Sequence, residues 1–528
     1  MNLIVCADTV HTLAGDDRPV EAIAITGGVV TAVGTRRDVR DWRRPVTEVV
    51  DLGAATVTPG LVDGHLHAVM GLQLAAGVDL STARSLDEVR HLLAVAAAER
   101  PPDDWVQAWG LDPNVFGGRP VTSAPIEAAT GGRPAFVRLF DAHSALATPA
   151  ALRIAGVDGP RRFAQRSSVV CDESGRPTGL LLEAAAMDLV ARHVPREPVA
   201  VRAAWLHALL TEMAAHGLTG GHVMDLLDDS AEVVAAAEDL GDLPLRLRFA
   251  PWCDPGADVD ELIALQGRRG RRWEIGGVKL FIDGTIDNGT AWLEQPDSHG
   301  ESTDSFWTDP AAFTKAVHAL AAAGVPTATH AIGDAAVRYV LETLDGLGRP
   351  AAAPHRIEHI ETLPTELIGR FRRQGVVASM QPTHSHFTRA DHTDNWSSRL
   401  GGERAGRAWR CRDLRDAGVP VVLGSDWPIA PFDPRGILAA AQLRRPAGEP
   451  EIPPVQPQQG LTPLMALEGY TSLATAAAGG IAGIRIGARA DLTAFTLDPL
   501  RTAPDELADA PIAMTVVDGT IVHRGGTR

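Results

Sequence analysis

The chain has 528 residues, of which 45% are hydrophobic and 22% charged, and its formal net charge is −17. This length and composition are typical of a globular protein with more than one domain. The acidic balance argues against nucleic-acid binding, which requires a basic face. No apolar run approaches the ~20 residues needed to cross a bilayer, so no membrane segment is expected.

The cysteines and the N-terminus indicate the compartment. Cys6, Cys171, Cys253 and Cys411 are far apart and form no Cys-x-x-Cys pair, which favours reduced thiols. The first residues lack the basic and apolar regions of a signal peptide, since Asp8 already interrupts them. The sequence therefore predicts a cytoplasmic protein.

Both ends of the chain read as short strands. Residues 22–26 and 29–34 flank Gly27-Gly28, which predicts a β-hairpin. Residues 490–495 and 514–522 repeat the pattern of strand, turn and strand, with Asp518-Gly519 as the second turn. Because chain termini usually lie near each other, we predict a small β-sandwich domain built from residues 1–57 plus 480–528.

The middle of the chain alternates strands with helices. A capping box at Ser85 to Glu88 opens one helix, and Asp309-Pro310 opens another. Short apolar strands are predicted at 325–330, 356–360, 376–380 and 419–424. There is no Gly-x-Gly-x-x-Gly turn and no P-loop. This alternation predicts an α/β fold, a (β/α)8 TIM barrel over residues 58–479, with an insertion around 90–200.

Polar residues with ligand chemistry close several of these apolar runs. His65 and His67 are two residues apart, and on a strand such residues point to the same face. Alone, the pair could equally be structural. The residues that follow later runs in the same way are Lys279, His330, His359 and Asp426. Because active sites of such barrels lie at the C-terminal strand ends, the set predicts a metal site there.

The segments around these residues identify a family. The chain resembles the amidohydrolase superfamily, and within it the amidohydrolase family 3 branch, which includes N-substituted formamide deformylase-like proteins. The resemblance spans nearly the whole chain and is thinnest between about 90 and 270. It is carried by residues 58–67, 277–285, 330–336, 356–359, 379–384, 424–428 and 487–492.

The resemblance implies a divalent metal site, with two Zn²⁺ per chain. His65 and His67 would hold one ion, and His330 and His359 the other. Lys279 would be carboxylated and would bridge the ions as a carbamate. Asp426 would be both a ligand and the catalytic residue that moves the proton. Without modification, Lys279 would instead be a strand-end lysine whose stem reaches solvent.

The implied activity is that of a metal-dependent amidohydrolase, which cleaves a non-peptide C–N amide bond by metal-activated hydroxide. The expected partner is a small-molecule amide, such as an N-substituted formamide or an N-acyl amine. His143, His384 and Trp427 are the predicted substrate-binding residues, and the family habit is a homodimer.

Two alternatives remain open. One is a deaminase of the same superfamily, but similar deaminases carry a glutamate three residues after the third histidine, where this chain has Gly333. The other is a barrel without catalysis that acts as a binding or regulatory protein. That alternative predicts broken ligands, whereas all six candidate ligands are present.

Overall fold

The computed structural model describes residues 2–15, 18–101, 103–348, 350 and 352–525. Met1 and residues 526–528, which belong to the predicted terminal domain, lie outside the described residues. The strands are β1 (Asn2–Cys6), β2 (Thr9–Val10), β3 (Ala22–Thr26), β4 (Val29–Gly34), β5 (Glu48–Asp51), β6 (Thr56–Pro59), β7 (Leu61–Leu66), β8 (Val78–Asp79), β9 (Val106–Leu111), β10 (Ala135–Leu139), β11 (Ser144–Ala147), β12 (Ser168–Cys171), β13 (Pro177–Leu182), β14 (Leu218–Val223), β15 (Arg246–Phe249), β16 (Trp273–Ile275), β17 (Val278–Phe281), β18 (Thr327–Ala331), β19 (Arg356–His359), β20 (Val377–Met380), β21 (Val421–Leu423), β22 (Leu492–Phe495), β23 (Ile512–Val517) and β24 (Thr520–Arg524).

Helices connect most of these strands. They are α1 (Val39–Trp42), α2 (Ala68–Ala75), α3 (Leu86–Ala98), α4 (Ala124–Glu127), α5 (Pro149–Ile154), α6 (Ala184–Ala191), α7 (Val199–Ala215), α8 (Ser230–Leu240), α9 (Val259–Leu265), α10 (Pro310–Ala322), α11 (Asp334–Thr343), α12 (Thr365–Gln374), α13 (Asn395–Leu400), α14 (Gly402–Ala405), α15 (Cys411–Asp416), α16 (Pro434–Leu443), α17 (Pro463–Gly469), α18 (Ser472–Ala477) and α19 (Pro504–Leu507). Short 3-10 turns lie at Pro113–Phe116, Pro382–Phe387 and Pro457–Gln459. Among the described residues, no helix is both long and apolar enough to cross a membrane.

The two chain ends share one pair of sheets. One sheet has the order β4-β3-β1-β5, and the other has the order β2-β6-β22-β23-β24, which mixes strands from both ends. A single apolar cluster, with Leu3 and Ile25 from one sheet and Leu492 from the other, fills the space between them. The predicted hairpin is confirmed as β3 and β4, joined at Gly27 and Gly28, whose φ angles are 60° and 80°.

Replacing Leu492 by alanine is expected to destabilise the protein by about 2–5 kcal/mol, because a buried leucine leaves a cavity when it is truncated. Leu492 is 1% exposed and its strand pairs with both β6 and β23. The matched control is Leu497→Ala, which removes a side chain that is 41% exposed and should cost within about 0.5 kcal/mol. Urea unfolding measures both, and equal losses would contradict the expectation.

A separate mixed sheet lies between β7 and α7 in the sequence. Its order is β12-β13-β11-β10-β9-β8, and it spans residues 78–182. It has its own apolar clusters, one of which packs beneath α3 and the other beneath α6. Helix α3 begins at the predicted capping box, where Glu88 N donates to Ser85 Oγ over 3.3 Å. The sheet begins at β8, before the region around 90–200 where the sequence predicts an insertion.

Two parallel sheets form the rest of the molecule. Their orders are β16-β15-β14-β7 and β17-β18-β19-β20-β21, and every pairing within them is parallel. Helices α8, α10, α11, α12 and α15 each connect a strand to the next parallel strand. This arrangement confirms the predicted α/β fold. Isolated parallel bridges between Leu66 and Trp427 and between Trp252 and Lys279 join the two sheets.

Candidate metal centre

Two histidines of β7 and one aspartate after β21 form the first group of candidate ligands. His67 Nε2 lies 3.2 Å and His65 Nε2 3.4 Å from Asp426 Oδ1. The backbone fixes this arrangement, since Asp426 N donates to the carbonyl of His65 over 2.7 Å. The ligand atoms of the three residues all lie within 4.8 Å of one another, which is compatible with one shared cation.

Carboxylates on the far side of both imidazoles orient them. His65 Nδ1 lies 2.7 Å from Glu358 Oε2, and His67 Nδ1 lies 2.8 Å from Asp225 Oδ2. With Nδ1–H donating to Glu358, the neutral imidazole of His65 presents the lone pair of its Nε2 towards Asp426. His65 Nε2 is buried and has no hydrogen-bond partner among the described residues. An orphaned buried nitrogen backed by a carboxylate is the arrangement expected of a metal ligand, so these residues fit a divalent metal.

A second group shares Asp426. The ligand atoms of His359, His384 and Asp426 also lie within 4.8 Å of one another. His359 ends β19 with a positive φ of 74°, and Gln381 Oε1 lies 3.0 Å from its Nδ1. His384, in the 3-10 turn after β20, has its Nε2 3.6 Å from Asp426 Oδ2. His384 was predicted as a substrate-binding residue, and the structure places it beside the candidate ligands.

His330 lies next to these groups. The centroid of its ring is 4.5 Å from that of His359. His330 Nε2 donates to the carbonyl of Gly284 over 3.1 Å, which leaves Nδ1 as the nitrogen with a free lone pair. Within the described chain, His330 belongs to neither of the two groups above.

Lys279 is buried beside the histidines. It is the second residue of β17 rather than the residue that closes the strand, and it is 1% exposed. Its Nζ lies 5.0 Å from the centroid of the Phe281 ring, which in turn is 5.3 Å from the ring of His330. Burial lowers the pKa of Lys279 to about 8. With a pKa of about 8, the amine of Lys279 is mostly protonated at neutral pH and becomes mostly neutral only at higher pH.

The electrostatics favour neutral imidazoles at most of the candidate ligands. Burial, together with the charge of Lys279, lowers the pKa of His65 to about 4. Burial also lowers the pKa values of His330 and His359 well below the usual histidine value. His67 differs: burial opposes its protonation, but hydrogen bonds to Asp225 and Asp426 outweigh burial and raise its pKa to about 9. The carboxylates around His67 thus favour positive charge.

An arginine lies behind the centre and holds Glu358 in place. Arg356 Nε and Nη2 donate to the two oxygens of Glu358 over 2.5 and 3.0 Å. Nη2 also donates to the carbonyl of Gly64 and to Ser379 Oγ, and Nη1 lies 2.8 Å from His222 Nδ1. The five contacts connect four strands through one buried guanidinium. Because they hold the carboxylate of Glu358 in place, Glu358 can hold the imidazole of His65 in one orientation.

The centre opens into a cavity of about 610 Å³. The separate mixed sheet contributes His143 to its wall. His143 Nδ1 lies 2.8 Å from Glu183 Oε2, and its ring is 5.0 Å from that of His330. Burial opposes protonation of His143, but the charge of Glu183 outweighs burial and raises the pKa to about 9. A protonated His143 can donate a hydrogen bond into the cavity.

The other two predicted substrate residues differ in position. His384 lines the cavity together with His143, whereas Trp427 is not among the described residues that line it. The indole of Trp427 instead lies against Gly71 of α2 and has its ring 6.4 Å from that of Phe432. Trp427 therefore packs behind the wall rather than in it.

Several residues at the centre carry no distinctive sequence signal. Arg356 and Glu358 lie in the family segment 356–359, but only His359 of that segment was predicted to have a role in the site. The structure also brings Asp225 to His67 and Glu183 to His143. The alternation of side chains along β19 was the one available signal, since it places Arg356 and Glu358 on the same face.

Known proteins with similar sequences and folds support a hydrolase. A family model described as the amidohydrolase family matches residues 48–523. The putative amidohydrolase YtcJ of Bacillus subtilis is 28% identical, over 97% of this chain and 98% of its own. The N-substituted formamide deformylase of Arthrobacter pascens is 27% identical, over 98% of each chain. A crystal structure of an uncharacterized metal-dependent hydrolase from Pyrococcus horikoshii has the same fold, with a TM-score of 0.73, 24% identity and coverage of 96% and 99%.

Proposed function

This chain belongs to the amidohydrolase family, and on that premise we propose that it hydrolyses a non-peptide amide, such as an N-substituted formamide or an N-acyl amine. The observation that supports the proposal most is that His65 Nε2 and His67 Nε2 both lie next to Asp426, where His67 and Asp426 line the cavity. The amide substrate class is supported by the relative that is a formamide deformylase.

We assign the metal ligands as the sequence predicted them. His65, His67 and Asp426 would hold one divalent ion and His330 and His359 the second, and a carboxylated Lys279 would contribute a further ligand. The crowding of His359 and His384 around Asp426 makes His384 a further candidate for the second ion. Zinc as the metal, two ions per chain, a carboxylated Lys279, a homodimer and a cytoplasmic location stay predictions.

The bound metal would polarise the amide carbonyl and lower the pKa of water. The residues of the chain then do the positioning and the proton transfer. Glu358 and Asp225 fix the tautomers of His65 and His67. Asp426 takes a proton from the attacking water at Oδ2 and delivers it to the leaving nitrogen. The protonated His143, held by Glu183, donates a hydrogen bond to the oxygen that becomes negative.

We further propose that the strands form the predicted architecture. The eight strands β7, β14, β15, β17, β18, β19, β20 and β21 would make the (β/α)8 barrel of residues 58–479. The supporting contacts lie where the two parallel sheets meet, since His67 N donates to Trp427 O over 2.9 Å and Lys279 N to Pro251 O over 2.9 Å. The pair of terminal sheets would be the β-sandwich domain of residues 1–57 and 480–528.

Deamination fits the chain less well. A glutamate would be needed at Gly333, and a Cβ there would collide with the carbonyl oxygen of Trp292. Since the colliding atom belongs to the backbone, a longer side chain could enter only if residues around Trp292 moved. The packing at this position therefore supports amide hydrolysis over the deaminase alternative.

Metal content and its removal test the proposal. Protein purified without a histidine tag is expected to contain about two equivalents of divalent metal per chain by elemental mass spectrometry. Removal by a chelator should abolish hydrolysis of N-formyl and N-acetyl amines, and zinc with bicarbonate should restore it. About one equivalent would confine binding to the group of His65, His67 and Asp426. No metal after incubation with zinc and bicarbonate would overturn the proposal.

A further inference from the structure

Arg138 is a cation of the cavity wall that lacks a protein partner. It lies on β10 of the separate mixed sheet and lines the same cavity as His143 and His384. In the described chain no carboxylate lies within ion-pair distance of Arg138, and its guanidinium makes no hydrogen bond. The guanidinium carbon lies 5.0 Å from the centroid of the Phe136 ring.

Other arginines of the cavity behave differently. Arg196 donates to Asp228 over 2.7 Å, and Arg202 makes a two-pronged pair with Asp229. Asp188, which is exposed on α6, is the carboxylate that acts on Arg138 from beyond contact distance. Burial lowers the pKa of Arg138 to about 10. A partly desolvated guanidinium with five unused donors is costly unless an acceptor reaches it.

Two phenylalanine rings line the cavity beside His384. The ring of Phe387 is 6.0 Å from that of His384, and the ring of Phe140 is 4.8 Å from that of Phe387. Phe140 directly follows β10, two residues after Arg138, and both side chains line the cavity. Aromatic rings therefore form part of the cavity wall beside His384, next to polar residues such as Asp141 and Gln165.

We propose that Arg138 binds a carboxylate at the far end of the substrate, and that the substrates are N-formyl or N-acyl derivatives of amino acids whose carboxylate is separated from the amide by an apolar linker. The inference rests on the proposed amide hydrolysis and names its substrate class. The planar fork of arginine matches a carboxylate with two parallel hydrogen bonds. Phe140 and Phe387 contact the linker, and the amide reaches the histidines.

A matched pair of amides tests the assignment. N-formyl-6-aminohexanoate and N-formylhexylamine have similar length, but only the first ends in a carboxylate. Arg138→Met is expected to lower kcat/KM for the first by about 10–100-fold, from the value of a hydrogen bond to a charged group, and to leave the second unchanged. For the first amide, the kcat/KM of Arg138→Lys should lie between those of the wild type and Arg138→Met. Lysine keeps the positive charge but cannot make the two parallel hydrogen bonds of a guanidinium.

The control is Arg192→Met, which removes an exposed arginine at the end of α6 that donates to the carbonyl of Asp188 over 2.8 Å and does not line the cavity. It is expected to leave both substrates unaffected. An equal loss of kcat/KM on both amides in Arg138→Met would overturn the carboxylate assignment.

Binding of hexanoate separates this inference from the proposed function, because it needs no turnover. Calorimetry on the metal-loaded protein should show hexanoate binding that Arg138→Met weakens and Asp188→Asn tightens, since the second change removes a nearby negative charge. If neither amide is hydrolysed but hexanoate binding still depends on Arg138, the subsite stands and the proposed reaction fails. Hexanoate binding that is equal in the wild type and both variants would overturn the subsite even if amides are hydrolysed.

Discussion

Replacing Asp426 by asparagine is expected to lower kcat for amide hydrolysis by about 10²–10⁴-fold, the range of general acid–base catalysis. Asparagine keeps the shape of the side chain but cannot accept and return a proton. Burial alone would raise the pKa of Asp426, but the neighbouring His65 and His67 hold it well below its usual range. The carboxylate is therefore available to take the proton of the attacking water. Steady-state kinetics on an amide accepted by the wild type measures the loss.

Asp433→Asn is the matched control for this change. Asp433 lies seven residues further on, caps α16 by accepting from Arg435 N over 3.0 Å, and does not line the cavity. It is expected to keep kcat. Metal content should be determined for both variants, so that loss of proton transfer is separated from loss of a ligand. An Asp426→Asn variant with wild-type kcat would contradict the assigned role.

Arg356→Met is expected to destabilise the protein by about 3–5 kcal/mol, the cost of leaving one partner of a buried ion pair alone. Arg356 is 6% exposed and Glu358 is fully buried. Without the guanidinium, Glu358 loses two hydrogen bonds and no longer holds the imidazole of His65 in one orientation. Metal affinity should fall by about 10–100-fold, as it does when such outer partners are removed elsewhere. Chemical denaturation measures the free energy of unfolding, and competition with a chelator measures the metal affinity.

Arg338→Met tests whether burial causes the effect. Arg338 also contacts two carboxylates, Glu294 over 2.6 Å and Glu366 over 3.0 Å, but its side chain is 32% exposed. This change should cost less than about 1 kcal/mol, because exposed ion pairs contribute little, and it should leave metal affinity intact. Similar losses in stability for Arg338→Met and Arg356→Met would contradict the argument from burial.

The double change Arg356→Met with Glu358→Gln separates stability from metal binding. The double variant no longer buries an unpaired carboxylate, so it should be more stable than Arg356→Met alone. Metal affinity should not recover, because glutamine accepts the His65 Nδ1 proton more weakly than a carboxylate does. A double variant as unstable as the single one would show that the lost packing, rather than the buried charge, dominates.

Local sequence predicted the elements whose causes are local. The Gly27-Gly28 turn, the Ser85 cap and the Asp518-Gly519 turn each depend on residues within a few positions, and the structure contains all three. The alternation of strands and helices likewise predicted the parallel α/β part. The residue motifs of the family also marked His65, His67 and Asp426, which the structure brings within reach of one ion.

Only the tertiary structure could decide how side chains from distant strands meet. Glu358 and His65 are 293 residues apart, and they contact each other because β19, β20 and β21 pair in fixed registers and the bridge from Trp427 to Leu66 places β7 beside β21. His143 and Arg138 reach the cavity through a mixed sheet whose position the sequence left open. A hydrogen bond between two strands depends on the pairing of every strand between them, and no pattern within a few residues encodes that pairing. The sequence therefore determined the kinds of ligand available, whereas the packing of strands decided which partners orient them and what lines the cavity.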